Sequence, residues 1–475
     1  MAKIVIVGAG SVVFSTTLIN DMFSTPVLEG SHYVFMDISQ EKLNHIEEFA
    51  KKMIRVNNLK AHVSSTTNRR EALKGADYVV ASIQFGGLDA WKLDYEIPLK
   101  YGVDQCIGDC LNPGGIFRAL RTIPVMVDLA KEMEEVCPNA FLLNYVNPLS
   151  IISMAVGLST KIKYVGLCHG VQTTMDLISG FVGISKDEID YLCAGINHMS
   201  WFLKLEHKGS DLYPLLRERI ELPEYYLAEK VRCETMRHFG YFMTESSGHL
   251  SEYLPWFRKN KKALDLYCDQ PEFGGESGAA YKAMSKIAAK LSSIDILSME
   301  SGELEPRSKE YCSYIIEAIE SGNPFKFMGN VMNNGYISNL PEKCCVEVPV
   351  YADKQGINPL YIGQLPSQLA ALNMTNILVQ QLTVEAALNI DNELVINAVS
   401  LDPLTSSVLT LHEIREMVIE LFISEKKYLP QFQKNTPKQI PHVHIPNGTI
   451  AVKTPTDPAL AVANRFKKIE ELLAK

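Results

Sequence analysis

Cys168 and His198 each stand where a run of strand-forming residues gives way to a polar turn. Tyr164-Val165-Gly166-Leu167 meets Cys168-His169-Gly170, and Leu192 to Ile196 meets Asn197-His198. Their separation in sequence matches no local zinc motif. A shared site is therefore a matter of topology: in an open parallel sheet, the carboxyl ends of neighbouring strands open on one crevice where ligands bind. A thiolate and an imidazole meeting there, with substrate oxygens completing the shell, suit a borderline divalent ion. Taken alone, a cysteine or histidine of this kind is more often a packing residue.

The elements that must position this pair begin at the N-terminus. Lys3 to Val7 is a continuous β-branched run, as in a strand buried on both faces, and it leads into Gly8-Ala9-Gly10-Ser11 and a helical stretch from about Val12 to Phe23. Strand, glycine turn and helix start make a phosphate cradle, because the helix offers unpaired N–H groups and a positive dipole end. Val13 occupies the third-glycine position of the dinucleotide fingerprint, so the motif is incomplete. Tyr33 to Met36 is a second strand; it ends on Asp37, which is placed to accept from an adenosine ribose or to cap the next helix. A helix over Ser39 to Asn57, a short strand near His62 and a helix near Glu71 lead to the parallel strand Ala76 to Ser82, which ends in the turn Gln84-Phe85-Gly86-Gly87. Gly108 to Arg118 is a loop dense in glycine and polar groups, read equally as a functional loop or as a tight crossover, before a helix from about Ala119 to Glu135. Strand Ala140 to Asn144 delivers Tyr145-Val146-Asn147-Pro148. This alternation predicts a doubly wound α/β domain.

Past Trp201 the alternation is lost. Charged helical stretches (Leu215 to Phe239, Tyr281 to Leu291, Ser308 to Glu320) are interrupted by strand-like runs (Lys326 to Met332, Cys345 to Val350), while Gly335 to Leu340 and Gly356 to Pro359 read as turns. Helices over Pro366 to Asn389 and Leu411 to Phe422 read as packing elements. The stretch from Asn435 to Pro458 is rich in proline, threonine and histidine and precedes a short helix, Leu460 to Leu473. The expected organisation is a Rossmann-type domain over residues 1–195, a mixed α+β domain over 196–430 and a tail over 431–475.

Composition limits the partners. With 46 Lys and Arg against 55 Asp and Glu, the formal charge is -9, which gives no electrostatic case for nucleic acid. No window is long and apolar enough for a bilayer, and the first residues are too short an apolar run for a secretory signal, so the expected compartment is the cytoplasm. Ten cysteines then imply free thiols. Cys344 and Cys345 lie in a strand-like run where neighbours face opposite ways, so they do not share a metal.

Several of these motifs recur together in a known family. Gly8-Ala9-Gly10-Ser11, Asp109 with Pro113-Gly114-Gly115-Ile116, Asn144-Tyr145-Val146-Asn147-Pro148, Cys168-His169-Gly170-Val171 and Ala194-Gly195-Ile196-Asn197-His198 resemble glycoside hydrolase family 4, the NAD- and metal-dependent glycosidases. Gly240-Tyr241-Phe242, Thr244-Glu245-Ser246-Ser247, Asn339-Leu340-Pro341 and Cys344-Cys345-Val346-Glu347-Val348 are most similar to its α-galactosidase branch. The resemblance runs from the first residue to about Leu429.

The resemblance implies a Rossmann domain followed by a mixed α+β domain, arranged as in lactate and malate dehydrogenases. It implies redox-assisted elimination: oxidation at sugar C3 by NAD, loss of the C2 proton, departure of the aglycone, addition of water and re-reduction. By the same resemblance NAD is held by Gly8, Gly10, Ser11, Asp37, Gln84 and Asn144, and Mn²⁺ or a similar ion by Cys168 and His198. Asn147, Arg118 and Asn197 would bind the sugar, and His169 would assist the leaving group. Many members carry an aspartate or tyrosine base where this chain has serine; Tyr241, Glu245 and Asp109 are then the titratable candidates, and Ser246 and Ser247 could position a water. Phosphosugar enzymes of the family carry Asn or Asp after the cysteine, so His169 argues against a phosphorylated substrate. Melibiase-type members carry serine where Gly170 stands, the glycine being the form of α-glucosidases and α-glucuronidases. The expectation is an α-glycosidase for a small unphosphorylated α-hexoside, an α-galactoside first, working as a homodimer or homotetramer. The alternatives are an α-glucoside or α-uronide as substrate, a metal-assisted NAD-dependent sugar dehydrogenase, and a non-catalytic NAD-binding regulator.

Overall fold

The β-branched runs of the N-terminal part pair side by side and in parallel. A computed structural model of the chain describes residues 1–291, 301–455 and 457–474. Residues Met1–Lys438 form one compact unit and Gln439–Lys475 a second. Within the first, β1 (Lys3–Val7), β2 (His32–Met36), β3 (His62–Thr66), β4 (Tyr78–Ala81), β5 (Phe141–Asn144) and β6 (Lys163–Leu167) run in the order β3-β2-β1-β4-β5-β6. That is the strand order of two-halved dinucleotide-binding folds, with the ligand crevice where the order reverses, between β1 and β4. β1 registers Val7 against Met36 on one side and Ala81 on the other, so three strands end level at the same edge. Ile4, Val5 and Ile6 are fully buried, as a strand covered on both faces requires.

The sheet does not stop at β6. Strands β7 (Asp190–Ile196), β8 (Met199–His207), β9 (Ser210–Asp211), β10 (Phe325–Met332), β11 (Cys345–Asp353) and β12 (Gly356–Pro359) continue it as β6-β10-β11-β7-β8-β9, with β12 on β11. β10 runs antiparallel to β6, pairing Gly329 with Leu167, and β11 reaches β7 through Glu347 and Gly195. Residue 195 thus lies inside a strand of the common sheet.

Three expectations are corrected. Asn112 to Arg118 is not loop but the opening of a helix over Asn112–Val136. Pro113 is tolerated in its first turn, and Gly115 is there for close approach, since a Cβ would fall 2.5 Å from the Cys110 carbonyl carbon. Gly356 to Pro359 is β12, the return arm of a hairpin from β11. The stretch Leu215 to Phe239 is broken into helices Tyr213–Ile220, Pro223–Ala228 and Lys230–Phe239, the first break falling at Pro223, which can start a helix but not continue one.

The Asn112–Val136 helix and the long helix Ser367–Asn389 share one hydrophobic core with the sheet, through Ile116, Leu120 and Ile123 on one and Leu369, Ile377 and Val379 on the other. The second unit carries the helix Pro458–Leu473, whose start Asp457 caps by accepting from Ala459 N. The tail was expected from residue 431, and two of its residues, 456 and 475, lie outside the described residues. Among the described residues no helix is long and apolar enough to cross a membrane.

Candidate active site

The carboxyl ends of β1, β2, β4, β5, β6 and β7 open on a cavity of about 1540 Å³. On one side the chain turns sharply after β1: Gly8 N and Ala9 N both donate to Met36 O, at 2.9 and 3.1 Å. Asp37 closes that turn, its Oδ2 accepting from Gly10 N at 2.9 Å and its Oδ1 from Ser39 N at 3.0 Å. Gly8, Gly10, Ser11, Asp37 and Gln84 all line the cavity, which leaves a bare backbone turn facing a helix start. Asn144 does not line it. Its amide accepts from Val146 N at 3.0 Å, closing on its own turn, and donates to Tyr164 Oη at 2.8 Å.

On the other side His198 occupies the second position of the two-residue turn between β7 and β8, with φ 65°. Such tight hairpins require a left-handed residue, and here it is a histidine rather than glycine. Glu245, also left-handed at φ 70°, meets it. Cys168 Sγ donates to Glu245 Oε1 at 3.5 Å, and His198 Nε2 lies 3.7 Å from the same oxygen. One ligand atom from each of Cys168, His198 and Glu245 lies within 4.8 Å of the others. Gly170 donates its N–H to Cys168 Sγ at 3.5 Å, and a Cβ there would collide with Glu245 Oε1. A side chain at position 170 and the carboxylate of Glu245 would therefore compete for the same space.

Burial, then Glu245 and Glu347, push the Cys168 thiol well above its ordinary range. Burial pulls His198 down to about 4, so its imidazole is neutral and free to donate a lone pair. These are the groups that a divalent ion would capture, since it displaces the thiol proton and binds neutral imidazole.

Asn147, Arg118 and His169 reach the same cavity. Asn147 Nδ2 donates to Asp109 Oδ2 at 3.0 Å, and Arg118 Nε donates to Asn147 O at 3.3 Å while its guanidinium lies 5.2 Å from the Trp91 ring. His169 is exposed at the rim, its Nδ1 3.6 Å from Glu310 Oε1, and that carboxylate raises its pKa. Asp109 and Asn197 are buried behind the lining rather than in it. Burial raises Asp109, but Arg118 and the two imidazoles of His249 and His198 outweigh it and keep the carboxyl below its usual range. Tyr241 is not brought to the cavity. The segment after it pairs with β8, through Phe202 N to Phe242 O, and leaves Tyr241 edge-on to Tyr213, ring centroids 5.7 Å apart.

Two residues were not singled out from sequence. His249 lies in the helix Ser247–Tyr253, fixed by Ser246, whose hydroxyl accepts from His249 N at 3.2 Å, and its ring centroid is 4.1 Å from that of His198. Glu347 belongs to a motif of the family resemblance but carried no role. It is 1% exposed and accepts from Ser200 Oγ at 2.8 Å and Asn330 Nδ2 at 3.2 Å.

Burial is the main reason that Glu347 rises from 4.5 to about 7. A carboxyl raised by folding penalises the folded state once it must ionise: there is no penalty below pH 4.5, a growing one as pH rises to 7, and roughly 3 kcal/mol above that. Metal-stripped Glu347→Gln is expected to unfold at higher denaturant than the parent at pH 8, by about 1–3 kcal/mol, and to draw level near pH 4. Parallel stability curves across that range would rule out a buried charge here.

The two halves of the site fall in two matched segments. The family 4 glycosyl hydrolase model covers residues 3–184, and the family 4 glycosyl hydrolase C-terminal domain model covers residues 193–405. An α-galactosidase of Bacillus subtilis (strain 168) is 40% identical over 439 residues, 91% of this chain and 100% of that protein. An α-galactosidase of Rhizobium meliloti (strain 1021) is 38% identical over 438 residues, 90% of this chain and 89% of that protein. Among solved structures, a 6-phospho-α-glucosidase from gut microorganisms in complex with NAD and Mn²⁺ matches with a TM-score of 0.75 at 21% identity, over 90% of this chain and 99% of that one, a likeness of fold. With both models matched in order, and with a relative of this identity aligned over its whole length, the chain belongs to family 4 of the glycosyl hydrolases.

Proposed function

We propose that this enzyme hydrolyses a small unphosphorylated α-galactoside and uses NAD and a divalent ion, Mn²⁺ first, to do so. The observation that carries the reading is the convergence of Cys168, His198 and Glu245 in the same cavity as the bare turn at Gly8 to Gly10. A thiolate and an imidazole, with substrate oxygens completing the shell, are a fitting donor set for such an ion, and Glu245 stands beside them. The glycine turn and the helix start behind it fit a pyrophosphate. In this reading residues 1–195 carry the dinucleotide and residues 196–430 complete the sugar site. When bound, NAD supplies a reversible hydride acceptor and the ion supplies Lewis acidity.

The chain's own groups then have distinct tasks. Cys168 and His198 hold the ion, and Asn147 and Arg118 orient the sugar hydroxyls, Asn147 being braced by Asp109. Glu245, alone among the expected base candidates in lining the cavity, takes the proton from sugar C2. A C–H bond is acidic enough for a carboxylate only beside a polarised carbonyl, which is why oxidation must come first. His169, whose pKa the Glu310 carboxylate raises, donates to the departing oxygen at the rim. All ten cysteines are free, which supports a reducing, cytoplasmic setting.

The test is hydrolysis of 4-nitrophenyl α-galactoside, α-glucoside and α-glucuronide by metal-stripped protein under reducing conditions, with NAD and Mn²⁺ added singly and together. Release only with both, fastest from the galactoside, is the expected result. Faster release from either other sugar moves the substrate. NADH accumulating with no nitrophenol makes the protein a sugar dehydrogenase.

Asp37 offers a separate check on the dinucleotide side. Asp37→Ala removes the acceptor of Gly10 N and a carboxylate facing the cavity, so NAD binding should weaken by roughly 10- to 100-fold, as for a lost charge-assisted hydrogen bond. Asp37→Asn keeps an acceptor for Gly10 and should lose less. Fluorescence titration with NAD reads both; an unchanged Kd in Asp37→Ala would remove Asp37 from the cofactor site.

A further inference from the structure

A second donor set shares His198 and lies deeper. Cys110, His198 and His249 each offer one ligand atom, and these atoms lie within 4.8 Å of one another. All three residues are nearly sealed, at 5%, 6% and 6% exposed, whereas two of the three members of the first set are only partly buried. The three come from separate pieces of chain that are each fixed. Cys110 is pressed from behind by the close-packed Gly115, His198 sits at its hairpin tip, and His249 is held by the Ser246 cap.

Two buried atoms beside this set have no hydrogen-bond partner: His249 Nε2, and Oδ1 of Asp109, the residue before Cys110. Unpartnered polar atoms in a protein interior are rare and costly, and here they are a lone-pair nitrogen and a carboxylate oxygen, both suited to a cation. The donor types are selective. One thiolate and two imidazoles supply three of the four donors of tetrahedral zinc, whereas manganese favours oxygen, which substrate hydroxyls supply at the first set.

We propose that Cys110, His198 and His249 form a zinc site that draws His198 away from the catalytic ion, so that zinc silences the enzyme without engaging Cys168. On binding, zinc replaces the Cys110 thiol proton, which leaves to solvent. The silencing rests on the reading that His198 serves the catalytic ion; the zinc site itself does not.

Metal-stripped full-length protein is titrated with Zn²⁺ and, as a spectroscopic stand-in, with Co²⁺, in the parent, Cys168→Ser, Cys110→Ser and His249→Gln. In Cys168→Ser, cobalt is expected to retain its thiolate charge-transfer band, and zinc X-ray absorption to show one sulfur in the shell. Cys110→Ser and His249→Gln should bind zinc at least about 100-fold more weakly, more than the loss of an outer partner costs. In the parent, zinc should suppress Mn²⁺-supported hydrolysis, and Cys110→Ser should relieve that suppression. A charge-transfer band that survives Cys110→Ser and vanishes in Cys168→Ser overturns the proposal, as does a sulfur-free zinc shell in Cys168→Ser. The latter needs no variant at Cys110, so it decides the matter even if Cys110→Ser fails to fold. Because binding is read without hydrolysis, failure of the glycosidase reading leaves this result standing.

Discussion

Cys168→Ser is expected to lower kcat/KM for glycoside hydrolysis by on the order of 10³-fold or more while leaving NAD affinity unchanged. The substitution keeps the size of the side chain and removes its ability to become an anion at neutral pH, so a donor to the ion is lost without a cavity. The magnitude follows from what the ion does for the reaction: stabilisation of developing charge at a buried centre, where even one lost hydrogen-bond donor costs 10²- to 10³-fold. The dinucleotide turn at Gly8 to Gly10 belongs to the end of β1, not β6, and should not register the change. Steady-state kinetics with saturating NAD and Mn²⁺, beside an NAD titration, separate the two. Activity within about tenfold of the parent would mean that Cys168 is a packing residue.

Arg121→Met is expected to cost about 3–5 kcal/mol of stability, the range for breaking a buried ion pair from one side. The Arg121 side chain is 1% exposed and those of Asp94 and Glu425 are 0%. Its Nη1 donates to Asp94 Oδ1 at 2.8 Å and to Glu425 Oε2 at 2.9 Å, its Nη2 donates to Asp94 Oδ2, and its Nε donates to Phe85 O at 3.2 Å. One guanidinium thus ties the helix Gly87–Lys100 and the end of the helix Leu411–Ser424 to the helix Asn112–Val136. Without it two carboxylates face each other in the interior. Burial and the Asp94 charge already hold Glu425 well above its ordinary value, and the variant must pay for a proton or a structural opening. Denaturant unfolding at neutral pH reads the loss. Arg121→Met combined with Asp94→Leu and Glu425→Leu should recover most of it, because removing all three charges leaves none stranded. A single variant within about 1 kcal/mol of the parent would show that the triad is hydrated.

Much of the N-terminal half is legible in sequence because its signals are local. The β-branched run Lys3 to Val7 and the strand ending on Asp37 specify buried parallel strands by composition alone, and the turn at Gly8 to Gly10 follows from backbone chemistry. The extension of the sheet is not local: Gly329 meets Leu167 and Glu347 meets Gly195 across long stretches of chain, and no periodicity within β10 or β11 names those partners. Asn144 is hard to read for a related reason, since a side-chain amide at a strand end serves a ligand or its own turn, and only the position of Val146 N shows the bond to its own turn. His249 is hidden because the histidine it meets is brought by a hairpin on another strand. The glycines of Asn112 to Arg118 were read as loop since close packing, rather than flexibility, is invisible without the neighbour they approach.

The order in which the chain enters its sheet has a consequence for biosynthesis. Cys168 and His198 follow β6 and β7, yet the strands that join β6 to β7 are β10 and β11, which end at Asp353. A growing polypeptide therefore holds both proposed ion ligands long before it holds the two strands that bring them to one place. The nascent chain should acquire its dinucleotide turn early and its ion-binding pair only after Asp353 has left the ribosome, so the chemistry switches on late in translation.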